Sequence, residues 1–134
     1  MTVLDTSAVV DFLLGTGSAR AVRELLAGGP APAAPDVVVF EVLAVLRREV
    51  ARGSLPPDRA AGAVADLGDL DLELFPSLSL RGRAWELREN LTVADALFVA
   101  LAEMLEETLA TKDSALARTA RGQTGITVVV VGEP

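Results

Sequence analysis

Carboxylates are the side chains of this sequence with the greatest capacity for chemistry. The chain has 19 Asp and Glu residues but no histidine and no cysteine. This composition excludes disulfides, thiolate zinc sites and every mechanism in which a histidine activates a serine or a cysteine. Any catalysis must therefore use carboxylates, hydroxyls, lysine or arginine.

Two aspartates lie at the ends of predicted strands. Asp5 follows the apolar pair Val3-Leu4, and Asp113 closes the segment Thr111-Lys112-Asp113 after a second short strand. The carboxyl ends of parallel strands share one edge of a sheet, so we expect these two acids to lie at the same edge. Both also have a structural interpretation, because an acid at a helix start can cap the helix or complement its dipole.

The cap of the first helix has more than one candidate. The hydroxyls of Thr6 and Ser7 directly follow Asp5 and can also cap. A hydroxyl cap would leave the Asp5 carboxylate free to face a ligand at the strand end.

Glu41 lies in a predicted helix on a stripe of apolar residues. Its neighbours three and four positions away are Val37, Val38, Ala44 and Val45. Burying an ionised carboxylate without a partner is costly, so a cation or strong donor is expected nearby. A metal ion and an ion pair with Arg48, two turns further on, are both open interpretations.

Asp95 lies in the segment Leu91-Thr92-Val93-Ala94-Asp95, which begins another apolar helix. Thr92 and Asp95 match a capping box, which is the structural interpretation of this acid. The apolar residues Leu91, Phe98 and Val99 surround Asp95 on its helical face, which predicts a side chain directed inward.

Four acids on four separate elements are explained together by one shared site. Clustered carboxylates repel one another and would take up protons at neutral pH unless a cation neutralised them. A shell of oxygen ligands without histidine suits Mg²⁺ or Mn²⁺. Asp5, Glu41, Asp95 and Asp113 are therefore predicted to form a hard-metal site, with Thr6 and Thr111 as supporting hydroxyls.

The elements that must position these acids alternate between strands and helices. This alternation predicts an α/β fold, a three-layer α/β/α sandwich around a mostly parallel sheet. Helices are predicted at 8–14, 18–27, 36–52, 56–67, 77–87, 92–107 and 114–120, and strands at 3–4, 70–75, 108–110 and 126–131. The proline-rich segment 30–35 is predicted to be a loop, and the β-branched run 126–131 to be a strand buried on both faces.

Size and charge limit the classes of protein that fit. A chain of 134 residues is expected to form one domain, 1–134, with a well-filled core, and the absence of a signal peptide or a membrane-length run predicts a soluble, cytoplasmic protein. The net charge of −7 argues against nucleic-acid binding through one broad basic face. A metal bound among the acids would offset part of that charge.

The four acidic segments together resemble the PIN-domain family, in particular the toxins of VapBC-type toxin-antitoxin systems. The resemblance rests on Val3-Leu4-Asp5-Thr6-Ser7-Ala8, Glu41-Val42, Leu91-Thr92-Val93-Ala94-Asp95-Ala96-Leu97 and Thr111-Lys112-Asp113. It implies that Asp5, Glu41, Asp95 and Asp113 match the four acidic positions of the family and Thr111 its hydroxyl position.

The resemblance also implies an activity and partners. Family toxins cleave RNA with Mg²⁺ or Mn²⁺, are usually homodimers and bind a cognate antitoxin. On this hypothesis Asp5 and Asp95 hold the principal metal, and Asp113 and Glu41 complete its surroundings or support a second ion. Arg47, Arg48 and Arg52 are candidates for RNA phosphate contacts, or else solvated charges at a helix end.

Two other functions stay open from the sequence. A phosphoaspartyl protein would use Asp5 as nucleophile or phosphoacceptor and Lys112 as charge partner, but position 7 is Ser where a haloacid-dehalogenase-type phosphotransferase has Asp, and the acidic pair of receiver domains is absent. A non-catalytic PIN-like member would only bind a protein, for which Val9, Phe12 and Leu13 could provide an apolar surface.

Overall fold

A five-stranded parallel sheet forms the centre of the computed structural model, which describes residues 1–132. The last two residues of the expected domain, 133–134, lie outside the described part. The strands are β1 (Val3–Leu4), β2 (Ala33–Pro35), β3 (Glu73–Phe75), β4 (Leu109–Thr111) and β5 (Val128–Val130). Their order in the sheet is β3-β2-β1-β4-β5, so β1, which carries Asp5 at its end, is the central strand.

Within the described residues, seven α-helices connect and cover the strands. They are α1 (Thr6–Leu14), α2 (Ala19–Leu26), α3 (Val37–Ala51), α4 (Pro57–Asp69), α5 (Arg81–Glu86), α6 (Val93–Leu105) and α7 (Ser114–Gln123), with a 3₁₀ helix at Ser77–Leu80 before α5. None of the helices within residues 1–132 is long and apolar enough to cross a membrane.

Both faces of the sheet are covered. Side chains alternate between the two faces along a strand, yet Val3 and Leu4 of β1 are both almost fully buried, as are Leu109 and Ala110 of β4. The largest fully buried side chains are those of Phe98, Leu4, Leu101 and Leu109. The predicted α/β/α sandwich on a parallel sheet is thus confirmed.

The predicted loop at 30–35 was wrong in part, because β2 occupies its second half. Ala33 pairs with Val3 of β1, and the three residues of β2 pair with β3. The two alanines and one proline of β2 have little strand propensity, so the pairing with neighbouring strands is what makes this segment extended.

The description of the last strand as buried on both faces was also wrong. β5 pairs only with β4 and forms an edge of the sheet within the described chain. Val128 is buried, but Val130 is 41% exposed. A β-branched run indicates a strand but does not tell an edge from the centre.

Candidate active site

The four predicted acids line one open pocket of about 470 Å³ at the carboxyl edge of the sheet. Asp5 follows β1 and Asp113 follows the adjacent β4, as the strand-end argument predicted. Glu41 reaches the pocket from the second turn of α3, and Asp95 from the first turn of α6. Residues up to 108 positions apart in the chain therefore share one cavity.

Asp5 is the most firmly held of the four acids. Its Oδ1 accepts hydrogen bonds from the Ser7 hydroxyl at 2.7 Å and from the Ala8 N–H at 3.0 Å. Its Oδ2 accepts a hydrogen bond from the Thr111 hydroxyl. Asp5 itself therefore caps α1, and the expectation that Thr6 or Ser7 would take over the cap was wrong.

Thr111 connects two of the acids. Its fully buried hydroxyl donates to Asp5 and accepts the N–H of Asp113 at 3.0 Å. Asp113 is exposed and caps α7, because its Oδ1 accepts the N–H groups of Ala115 and Leu116. Both capping bonds end on one oxygen of this carboxylate.

Glu41 is half-buried and is held by a hydroxyl rather than by a cation. The Thr6 hydroxyl donates to Glu41 Oε1 at 2.6 Å. Among residues 1–132, no ion pair joins Glu41 to Arg48, whose Nε instead lies 3.9 Å from Glu49. The ion-pair interpretation of Glu41 is therefore not what the structure contains.

Asp95 combines the two properties that the sequence suggested for it. Its N–H donates to the Thr92 hydroxyl at 3.2 Å, which confirms Thr92 as the cap of α6. Its side chain is half-buried and lines the pocket. Capping of the helix and direction into the site are thus compatible.

The pKa values of two acids reflect the shared pocket. Burial raises the pKa of Asp95, and repulsion from Asp5, Glu41 and Asp113 raises it further, against a lowering by Thr92. Burial also raises the pKa of Asp5, opposed by its hydrogen bonds to Thr111, Ala8 and Ser7, with a smaller rise from Asp113. Burial is thus the main cause of both rises, and repulsion among the acids adds to it.

The acids are near one another but are not arranged as a closed ligand set. Within the described residues, no three acidic side chains stand close enough together to hold one metal ion as they are oriented. A shared ion would therefore require rotation of at least one carboxylate.

Two charged residues of the pocket were not predicted as site residues. Asp11, in the middle of α1, is 9% exposed, and its Oδ2 lies 2.8 Å from the Lys112 Nζ. The sequence suggests Lys112 only as a charge partner of Asp5 in a phosphoaspartyl protein, whereas the structure pairs it with Asp11. An acid within the apolar run Ala8–Leu14 is the same signal that drew attention to Glu41.

The arginines of α3 divide into two groups. Arg48 lines the pocket and is largely exposed. Arg52 is not among the described residues that line it and lies 3.6 Å from Glu49. Of the three residues considered as an apolar binding surface on α1, Val9 is fully buried, and Phe12 and Leu13 are partly buried and pack against the core.

The comparisons with known proteins agree with the fold. The sequence profile described as the PIN domain matches residues 2–122. The chain belongs to the PIN-domain family. Ribonuclease VapC9 of Mycobacterium tuberculosis is 37% identical over 129 residues, which are 96% of this chain and 98% of the relative. Ribonuclease VapC1 of the same species is 39% identical over 116 residues, 86% of this chain and 87% of the relative.

Solved structures support the PIN fold independently of close sequence similarity. The structure of VapBC2 from Rickettsia felis, bound to a DNA fragment from its promoter, has a TM-score of 0.67 at 17% identity and covers 96% of each chain. PAE2754 from Pyrobaculum aerophilum has a TM-score of 0.68 at 19% identity, covering 96% of this chain and 83% of that one. At such identities the similarity concerns the fold alone.

Proposed function

We propose that this PIN domain is a divalent-metal-dependent endoribonuclease, the toxin component of a type II toxin-antitoxin system. The observation that carries the proposal is the convergence of Asp5, Glu41, Asp95 and Asp113 on one pocket at the carboxyl edge of the sheet. The names of VapC9 and VapC1, ribonucleases similar over most of their length, support RNA as the substrate.

The residues of the pocket fit Mg²⁺ or Mn²⁺ by donor type and by charge. All candidate ligands are oxygens, which both ions prefer, and five acids line the pocket against two basic side chains among the described residues. An ionised carboxylate has about four acceptor positions. Three donors use those of Asp5, which leaves one on Oδ2 for a further ligand.

In the proposed site Asp5 and Asp95 hold the principal ion, and Asp113 and Glu41 complete its surroundings. A bound divalent ion would supply activation of water and neutralisation of charge on the phosphoryl group. The chain's own hydroxyls keep the acids in place, because Thr111 and Ser7 fix Asp5 and Thr6 fixes Glu41. These hydrogen bonds hold Asp5 and Glu41 at the pocket, so the rotation needed to share an ion is confined to side chains that are already close together.

Arg48 is the proposed contact to an RNA phosphate at the mouth of the pocket. It lines the same cavity as the acids and is exposed enough to meet a bulky substrate. Arg52, which directly follows α3, would contact RNA only outside the pocket.

We further propose that the protein acts in the cytoplasm as a single-domain homodimer, inhibited by an antitoxin. An apolar groove of about 370 Å³ between α3, α4 and β3 supports a protein partner, and its lining includes Val39, Leu43, Val64 and Leu74, all more than a third exposed. Exposed apolar surface of this kind marks interaction sites. Sedimentation of the purified chain, alone and with the product of the neighbouring gene, tests both assemblies.

Cleavage of RNA tests the enzymatic proposal directly. A labelled single-stranded RNA is incubated with the protein in Mg²⁺ or Mn²⁺, and Asp95→Asn is compared with Asp71→Asn, an exposed aspartate outside the pocket. We expect Asp95→Asn to lower the cleavage rate about 100-fold or more, since it removes a proposed metal ligand. Asp71→Asn should cleave like the wild type.

Two results would contradict the proposal. Full activity of a folded Asp95→Asn variant would remove Asp95 from the site. Absence of both metal binding and cleavage in the wild type would favour a PIN-like protein that only binds a partner.

A further inference from the structure

Lys112 is the only lysine in the sequence, beside eleven arginines, and it lies in the acidic pocket. It stands between Thr111 and Asp113 on the loop from β4 to α7, so its backbone is part of the site. Its N–H reaches the Ser7 hydroxyl at 3.5 Å, and that hydroxyl in turn donates to Asp5. The ammonium group is therefore carried by the same short loop that positions two of the site residues.

Asp11 fixes the direction of the Lys112 side chain. The Lys112 Nζ lies 2.8 Å from Asp11 Oδ2, and the two side chains are 30% and 12% exposed. The cation is thus neither buried in the core nor extended into solvent, but held at the pocket wall.

Asp11 is itself locked by the turn between α1 and α2. Its Oδ2 accepts the Ser18 N–H and the Ser18 hydroxyl, both at 2.8 Å, and Ser18 is fully buried. Gly17 has a φ of +54°, and a Cβ there would lie 2.8 Å from the Asp11 Cγ and closer still to Oδ2. The turn therefore closes tightly around this carboxylate and leaves it little freedom.

We propose that Lys112, positioned by Asp11, binds a phosphate of the RNA within the acidic pocket. This inference rests on the proposed ribonuclease function and deepens it by naming a second phosphate-binding residue. Five acids line the pocket, and Lys112 and Arg48 are the cations among its described lining residues. Among the described lining residues, an anionic substrate therefore meets positively charged side chains at these two positions.

The choice of lysine matches the proposed position. An ammonium is a compact charge with three N–H donors, so it can keep its bond to Asp11 while it donates to a phosphate oxygen. A guanidinium is planar and broader, and it prefers two parallel bonds to one partner. Asp11 is accordingly a positioning residue, and Lys112 is the residue that contacts substrate.

Steady-state kinetics with single-stranded RNA separate a substrate contact from a structural ion pair. We expect Lys112→Gln to raise KM about tenfold and to make the salt dependence of binding shallower, by roughly 0.7 in log–log slope for one lost phosphate contact. Lys112→Arg should restore the slope but only part of the affinity. Arg20→Gln is the matched control, since Arg20 pairs with Glu24 on exposed α2.

Asp11→Asn tests the positioning role. The ammonium remains but loses its charged anchor, so we expect a raised KM with a wild-type salt slope. A double variant with Lys112→Gln should then bind RNA no more weakly than Lys112→Gln alone. Thermal unfolding of all variants identifies any that fail to fold.

The single lysine also provides a readout that needs neither metal nor cleavage. Protein labelled with ¹⁵N at the lysine Nζ has one such nitrogen in the whole chain. We expect its signal to shift when single-stranded RNA is added to the metal-free protein, and the shift to disappear at high salt.

The outcomes distinguish this proposal from the proposed function. Unchanged KM and salt slope in a folded Lys112→Gln variant, or no RNA-dependent shift of the lysine signal, would overturn the phosphate-binding role. A wild-type protein that shifts its lysine signal but cleaves no RNA would instead refute the nuclease and keep the RNA contact.

Discussion

At the residue scale, the hydroxyl of Thr111 helps to position two of the four acids of the site. It is fully buried and bridges the carboxylate of Asp5 to the N–H of Asp113. Without it, a carboxylate oxygen and an amide proton would both lose a partner in a place that water reaches poorly. The geometry of two proposed metal ligands thus depends on one neutral side chain.

Thr111→Val is expected to weaken both the fold and the site. It keeps the shape but removes the hydroxyl, so the free energy of unfolding should fall by about 1–3 kcal/mol and RNA cleavage at least about tenfold. Thr111→Ser keeps the hydroxyl and loses only a methyl group, about 1 kcal/mol. Urea denaturation measures the stability of both variants, and a cleavage assay measures their activity. Equal cleavage by Thr111→Val and Thr111→Ser would contradict the role of the hydroxyl.

The raised pKa values of Asp5 and Asp95 predict how stability changes with pH. In the metal-free folded protein these carboxyls stay protonated to higher pH than in the unfolded chain, where the ordinary value is 3.8. Their stabilising contribution is complete below that value and is lost as the pH rises through the folded pKa.

Asp95→Asn removes one of these titrations. Measured by urea denaturation in a chelator, the stability of the variant relative to wild type should increase as the pH rises from about 4 to 7. The comparison with wild type cancels groups such as Asp36, whose pKa is lowered by hydrogen bonds from Ser77. A stability difference that does not change with pH would contradict the shifted pKa.

The acids of the site were predictable from the sequence, but the side chains that hydrogen-bond to them or pair with them were not. Burial of Glu41 against valines and the position of Asp5 after a strand follow from local spacing. The pairing of Thr6 with Glu41 and of Asp11 with Lys112 joins residues 35 and 101 positions apart, and no local pattern specifies such pairs. Asp36, the residue before α3, makes no capping bond to that helix with its side chain, which instead accepts two hydrogen bonds from Ser77.

At the scale of elements, the turn between α1 and α2 packs closely against Asp11, which lines the pocket. Two glycines with positive φ, Gly15 and Gly17, allow the chain to reverse between the helices. Only Gly17 lies against another residue, the carboxylate of Asp11, whereas a Cβ at Gly15 would meet nothing within 4 Å.

This difference gives a matched pair of substitutions. Gly15→Ala should cost about 1 kcal/mol of unfolding free energy through backbone strain alone. Gly17→Ala adds a steric conflict with Asp11, so it should cost at least about 1 kcal/mol more. Chemical denaturation of both variants provides the measurement, and equal losses would show that Asp11 moves aside without penalty.

Helices were predictable and strands only partly so, for a physical reason. Long helices repeat an apolar face several times, so α3 and α6 appear in the sequence within two residues of their ends. The strands here have only two or three residues. So short a segment has almost no periodicity, and the pairing partners decide whether it is extended, as at β2.

At the scale of the whole molecule, the charge of the protein and its proposed cofactor are linked. The chain has a net charge of −7, and five of its acids line one pocket. A divalent ion bound there would relieve local repulsion in the folded state and would find no such cluster in the unfolded chain.

Mg²⁺ or Mn²⁺ should therefore raise the melting temperature. With the ion at 100 times its dissociation constant, the stabilisation is about 2.7 kcal/mol, which is several degrees for a domain of this size. The Asp95→Asn variant should show a much smaller rise, and Ca²⁺ and Na⁺ at matched ionic strength are the controls. An equal rise in wild type and variant, measured by differential scanning fluorimetry, would place the ion elsewhere.

The pairing of β1 with β4 has a consequence for biosynthesis. Asp5 is made among the first residues, but its partner Thr111 and the acid at 113 emerge from the ribosome only when most of the chain has been translated. A nascent polypeptide that ends before β4 cannot close the central strand pair and has no pocket to cleave anything. Prematurely terminated products of this gene are therefore expected to be harmless to the cell that translates them.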